Sequence, residues 1–133
     1  MTCFWDGLMK GLKDSDFKPF NTKKTNRNNL IKFLKQHNKE TSDIFWNNKK
    51  IHSKELKENF IAVRDYDISK IGNGHLCSTG DYMLALICSL FNINIYHKYL
   101  QNTMKYEKPN NIINLHVRSN KGHFWFVSRN ETK

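Results

Sequence analysis

Two residue types with the chemistry of a thiol hydrolase stand at opposite ends of this chain, Cys3 and His123. Cys3 heads a stripe of Phe4, Leu8 and Leu12 at i, i+4 and i+8, with Trp5 and Met9 beside it, so it falls at the first turn of an amphipathic helix. There the unpaired backbone N–H groups and the positive end of the helix dipole favour the thiolate, the nucleophilic form of cysteine. A thiolate hydrolase also needs a base, held by the fold within reach of the sulfur. Among six histidines, His37, His52, His75, His97 and His116 fall on polar faces, loops or strand edges, where a solvated ring is the ordinary reading. His123 differs: it follows Gly122, which lets a turn come close, and opens the apolar run Phe124–Val127. A cysteine taken at random is a buried structural thiol, and a histidine at a strand start is more often structural than catalytic. The pair therefore gains meaning only from the elements that hold it.

Pro19 and the polar run Asn21–Asn29 end the first element. A second helix, capped by Asn28 or Asn29, turns Leu30, Phe33, Leu34 and His37 inward. Residues 41–51 show no period and read as loop with one helical turn. Ser53 caps a third helix carrying Leu56, Phe60 and Val63, and the glycine-containing stretch 70–80 is a surface loop. Residues 81–91 are almost wholly apolar and predict a central buried helix closed by Asn92. Three strands follow, at 93–96, 112–117 and 124–128. Helices first and strands last predict an α+β fold in one domain over residues 1–133, with the Cys3 helix packed on a small, mostly antiparallel C-terminal sheet.

The chain has 133 residues, 38% hydrophobic and 13% aromatic, which suits one folded domain rather than a disordered tail. Its formal charge is +10, concentrated in residues 17–59, with eleven Lys/Arg against four acids, and in residues 98–133, with seven against two. Such a field favours solubility and attracts anionic partners. Three cysteines without a Cys-x-x-Cys pair argue against a secreted disulfide framework. No apolar run is long enough to span a bilayer and no basic-then-apolar signal opens the chain, so the expectation is a cytoplasmic monomer with no membrane association and no cofactor.

Cys3-Phe4-Trp5-Asp6 with Leu8 downstream resembles the nucleophile helix of the ovarian-tumour (OTU) cysteine proteases, in which an apolar residue, an aromatic and a polar residue follow the cysteine. Gly80-Asp81-Tyr82-Met83-Leu84-Ala85-Leu86, then Leu90-Phe91-Asn92-Ile93-Asn94-Ile95, is similar to the family's central helix running into a core strand. Ile113-Asn114-Leu115 and Gly122-His123-Phe124 are similar to its last strands with their histidine-aromatic pair. The likeness covers about half the chain, leaving residues 14–69 matched only as helical filler, and the compactness resembles viral members. It implies a papain-like OTU fold and cleavage after the C-terminal glycine of ubiquitin or a ubiquitin-like modifier, in the host cytoplasm if the protein is viral. It also implies catalytic Cys3 and His123, oxyanion donors in the backbone of Thr2 and Cys3, a substrate channel flanked by Trp5, Asp6, Phe124 and Trp125, and a modifier-contact loop near Asp65, Asp67 and Asp81.

Two positions depart from the family pattern. Asp-Gly-Asn precedes the cysteine in most members, whereas Met1-Thr2 stands here, so either the oxyanion hole is shortened or the chain is truncated. Trp125 occupies the place two past the histidine where many members carry an orienting Asp or Asn, which leaves a Cys–His dyad. Asp6 is either near the cleft or a helix-surface acid favourable to the dipole. Other readings are a zinc site at His75 and Cys77, which lacks a second ligand pair, non-specific nucleic-acid binding, and a catalytically inactive OTU-like interaction module. The nucleic-acid reading rests on Lys23, Lys24, Arg27, Lys32 and Lys35, with Phe45 and Trp46 near Lys49 and Lys50 as stacking groups.

Overall fold

The computed structural model describes residues 3–69 and 81–132. Thr2, the predicted loop 70–80 and its His75 and Cys77 lie outside them. Helix α1 spans Cys3–Gly11 and buries Phe4, Trp5, Gly7, Leu8 and Gly11, so the predicted stripe is its inner face; it stops two residues short of the predicted 13. Its last carbonyls are closed by a cation: Lys24 Nζ donates to Met9 O at 2.9 Å and to Leu12 O at 2.8 Å. A short helix α2, Asp14–Phe17, runs into a 3-10 turn over Lys18–Phe20 that contains Pro19 and ends at Asn21 in the left-handed region.

Helix α3, Arg27–Gln36, buries Leu30, Ile31, Phe33 and Leu34. Its cap is Asn26, which accepts from Asn29 N at 2.9 Å, and not Asn28 or Asn29, because helical backbone begins at Arg27. Residues 41–51 are not loop with a helical turn. They carry a hairpin of β1, Phe45–Trp46, and β2, Lys49–Lys50, joined by Asn47 and Asn48 with φ of 51° and 68°. Asparagine tolerates that left-handed geometry, which a two-residue hairpin turn of matching twist requires. Helix α4, Ser53–Arg64, is capped by His52 in place of Ser53: His52 Nδ1 accepts from Lys54 N at 3.2 Å.

Helix α5 spans Asp81–Phe91 as predicted, with Asn92 closing it at φ 57°. Three longer strands follow the expected positions but extend further: β3, Ile93–Tyr99; β5, Ile113–Ser119; and β6, Phe124–Glu131. Between them β4, Asn102–Glu107, was not expected, because NTMKYE is polar and only Tyr106 in it is buried. The sheet order is β2-β1-β4-β3-β5-β6, with β3 and β5 parallel and every other neighbouring pair antiparallel. The fold is thus α+β, with a mostly antiparallel six-stranded sheet. Among the described residues no helix is long and apolar enough to cross a membrane.

Alternation along the strands sorts the sheet into two faces. Ile93, Ile95 and His97 of β3, Leu115, Val117 and Ser119 of β5, and Phe124 of β6 are buried. They lie under α1, which packs along β6, and α5, which packs on β3 and β4. The α1 and β6 layers are tied by a buried ion pair. Arg129 Nη1 and Nη2 meet the two carboxylate oxygens of Asp16 at 2.7 and 2.8 Å, and Nη1 also donates to Gly11 O at 2.9 Å. Asp16 further accepts from Lys13 N at 2.8 Å. Removing one partner of such a pair strands the other charge in the interior. Asp16→Ala is therefore expected to cost about 3–5 kcal/mol in urea unfolding, whereas pairing Asp16→Leu with Arg129→Met costs much less; equal costs for the two variants would contradict this account.

Candidate active site

Cys3 opens α1 and is half-buried. The next residue, Phe4, packs its ring on Phe124 of β6 at 4.8 Å between centroids, and on Trp5 edge to face at 5.0 Å. Further along α1, a Cβ at Gly7 would stand 2.8 Å from the Phe124 ring, and one at Gly11 2.5 Å from Leu115 and 3.1 Å from Phe126. The helix therefore lies directly on β6 and runs in the same direction. Its first turn and the first residue of β6 share one end of the molecule. Glycine at both positions is required by this close approach, since no side chain fits.

His123 stands immediately before β6, in the turn that joins it to β5. Asn120 N donates to His123 O at 2.9 Å and Gly122 N to Asn120 Oδ1 at 3.1 Å, which closes the turn. Gly122 is not needed for a close approach, as a Cβ there would meet nothing within 4 Å. The imidazole is exposed and stacks on Trp125, with centroids 5.4 Å apart and planes at 20°. The residue two places past the histidine thus restrains the ring by its aromatic face; it offers no carboxylate to select a tautomer.

The expected channel residues separate. Trp5 and Phe124 are each 1% exposed and belong to the core, with the Trp5 indole N–H donating to the Tyr66 hydroxyl at 3.0 Å. Asp6 faces outward and pairs with Arg27 Nη1 at 3.1 Å. Trp125 alone of the four flanks His123 while remaining partly accessible. The three acids assigned to a modifier-contact loop differ among themselves. Asp65 pairs with its neighbour Arg64 at 2.9 Å, Asp67 accepts from Ser69 N at 3.0 Å and Ser69 Oγ at 2.6 Å, and Asp81 takes the hydroxyl of buried Tyr106.

The cations nominated for nucleic acid are largely engaged by the fold itself: Lys24 caps α1, Arg27 holds Asp6, and Lys35 donates to Tyr66 O. Lys23 and Lys32 remain on the rim of an open groove between α1 and α3 with a floor of Met9, Phe17, Leu30 and Phe33. Among the described residues no group of three or more His, Cys, Asp or Glu side chains is placed to hold a metal ion.

His97 is the polar residue that sequence reading misplaced. It is 3% exposed, with Nε2 at 2.6 Å from Ser119 Oγ and its ring edge on Phe124 at 5.4 Å. Burial pushes its pKa below the ordinary 6.5, while the nearby Asp81 carboxylate pulls the other way. The signal was present in the alternation Ile93, Ile95, His97, which puts the histidine on the buried face of its strand. His37 packs on Phe20 and Phe33, His52 caps α4 and His116 stacks on Tyr96, so each has a structural partner.

Compared with protein-family models, curated proteins and solved structures, the chain matches none.

Two measurements follow from the buried groups. Burial in α5 raises the Cys88 thiol from 9.0 to about 12, which leaves roughly a thousandfold less thiolate than an ordinary cysteine. In a pulse of iodoacetamide read by peptide mass spectrometry, Cys88 is expected to react only after unfolding, while half-buried Cys3 reacts in the folded protein. For His97, the folded state binds its proton less readily than the unfolded state. Its contribution to stability is therefore complete above pH 6.5 and is lost as pH falls from there toward the lowered folded value. His97→Gln is expected to flatten the fall of the thermal midpoint between about pH 7 and 5; an unchanged slope would contradict it.

Proposed function

We propose that this protein is a cysteine protease of the OTU type, with a papain-like arrangement, that releases ubiquitin or a ubiquitin-like modifier through a Cys3–His123 dyad. The observation that carries the reading is the Phe4–Phe124 contact at 4.8 Å, which joins the residue after the cysteine to the residue after the histidine. The sequence neighbours of the two groups thereby meet at one end of one helix-strand layer, which supports the order the family resemblance implies. Hydrolysis of a modifier conjugate in a reducing cytoplasm, by a monomer, is the setting that fits this chemistry.

In this mechanism His123 accepts the Cys3 proton and the thiolate adds to the carbonyl carbon of the modifier's terminal glycine. Backbone N–H groups at the start of α1 stabilise the oxyanion, aided by the positive end of the helix dipole. Collapse of the tetrahedral intermediate breaks the C–N bond, and imidazolium gives its proton to the departing amine. Water, deprotonated by His123, then cleaves the thioester and restores the thiol. Stacking on Trp125 limits rotation of the imidazole, the task that an acid performs in a triad. A thiol is acidic enough to ionise partly near neutral pH, so a dyad is chemically sufficient.

Two observations favour a second reading, that of an OTU-like module without activity: the orienting position holds Trp125, and Asp6 pairs with Arg27. A ubiquitin probe with a C-terminal electrophile separates the two. Wild type is expected to form a covalent adduct on Cys3, Cys3→Ala none, and His123→Ala an adduct at least about a hundredfold more slowly. Absence of labelling by ubiquitin and ubiquitin-like probes, with an unchanged circular dichroism spectrum, would overturn the protease reading in favour of the inactive module.

A further inference from the structure

The outer face of the sheet, opposite α1 and α5, carries side chains that, apart from His123 and Trp125 at its edge, the proposed dyad does not use. Strand register lays them out in two rows. Lys105 of β4, Tyr96 of β3, His116 of β5 and Ser128 of β6 are successive partners across the sheet. The adjacent row is Thr103, Lys98, Arg118 and Trp125. Neighbouring rows on one face are about 7 Å apart along the strands. All these residues are half-buried or exposed, in contrast to the buried Ile95, His97, Leu115 and Val117 between them.

Aromatic rings and cations therefore interleave on one surface. Tyr96 and His116 stack across strands with centroids 5.2 Å apart and planes at 20°, and at the β6 edge His123 and Trp125 stack in the same manner. Lys98, Lys105 and Arg118 stand among them, with exposed Lys121 in the turn beyond. The acid on this stretch of β4, Glu107, is held by the Tyr96 hydroxyl at 2.9 Å, and Glu131 lies at the level of Ile113, away from both rows. Nothing in the core requires this composition: a solvated sheet face needs only polar side chains.

We propose that this outer sheet face binds single-stranded nucleic acid, with bases extending the Tyr96–His116 and His123–Trp125 stacks and Lys98, Lys105 and Arg118 meeting the phosphates. Rings with a free π-face bind any unstacked base, and cations between them follow the backbone, a combination suited to sequence-tolerant single-strand binding. Duplexes have their bases already stacked and offer such a face only phosphate charge. A purely acidic protein or an anionic membrane would use the cations but has no need of the interleaved rings. This surface is distinct from residues 17–59, where Lys24, Arg27 and Lys35 are engaged within the fold.

The test is fluorescence anisotropy of the full chain with fluorescein-labelled oligo(U) and oligo(dT) of roughly twelve nucleotides, within the site sizes of single-strand binders. Binding is expected to weaken steeply with salt and to exceed that of a duplex of equal length at every salt concentration. Arg118→Glu, on an exposed position, is expected to raise Kd at least about tenfold and His116→Ala about fivefold or more. Lys23→Glu with Lys32→Glu, on the helical side, and Cys3→Ala are expected to leave Kd within about twofold. Circular dichroism checks the fold of each variant. The proposal is overturned if oligonucleotides fail to bind at low salt, or if the Lys23 and Lys32 changes rather than Arg118→Glu remove binding. It is equally overturned if duplex, polyglutamate or phosphatidylserine vesicles bind as well as the single strands. The face shares His123 and Trp125 with the proposed dyad, but Arg118 and His116 lie outside it, so loss of oligonucleotide binding in their variants and loss of Cys3 labelling by a ubiquitin probe are distinguishable failures.

Discussion

The layer formed by α1 and β6 is the contact on which the rest of the molecule depends. Two glycines one helical turn apart remove the helix's own side chains where it lies on the side chains of the strand. At Gly7 and Gly11 even a single methyl would enter the Phe124, Phe126 and Leu115 side chains. The helix can then lie flat on the sheet's edge strand while Phe4 and Leu8 reach the core to one side. At the far end the Arg129–Asp16 pair joins β6 to the turn after α1, with one guanidinium nitrogen also satisfying the Gly11 carbonyl. Three groups that would be costly to bury alone satisfy one another, so the layer has a single low-energy register.

From this layer the polar interior extends in an ordered way. His97 and Ser119 sit behind Phe124 at the Cys3 end, while Tyr106 and Asp81 fasten β4 to the start of α5. Asn94, Asn114 and Asn130 bond across β3, β5 and β6 at 3.3 and 3.1 Å. Polar groups in these positions cost desolvation and return it only when paired in one register. They resist strand slippage, which would otherwise turn the buried face outward. The cluster of Phe17, Phe20, Phe33 and Phe91 closes the end away from the α1 N-terminus by stacked and edge contacts.

Toward the α1 N-terminus the cysteine, the histidine and a tryptophan have different surroundings. A half-buried thiol at a helix start has backbone donors near it, and an exposed imidazole has an aromatic plate beneath it. The same plate belongs to the outer sheet face, so Trp125 joins His123 to the row of Lys98 and Arg118.

Periodicity alone determined α1, α3, α4, α5 and the three longest strands, since amphipathic stripes and alternation are properties of the chain written before any contact forms. It also singled out Cys3 and His123. Caps shifted by one to three positions, because His52 and Asn26 act through side-chain geometry that residue type does not reveal. Strand β4 and the Phe45–Lys50 hairpin were illegible for another reason: such strands exist by pairing with neighbours, and β1 and β4, which pair through Phe45 and Glu107, meet only in the folded sheet. The burial of His97 was legible in the alternation of its strand; tertiary structure alone decided that Trp5 and Phe124 are core and that Asp6 and Asp81 already have partners. It alone placed the start of α1 beside the start of β6, because that proximity is set by two glycines and an ion pair across more than a hundred residues. The chemistry of each residue is in the sequence; which residues share a surface is decided only when the layers pack.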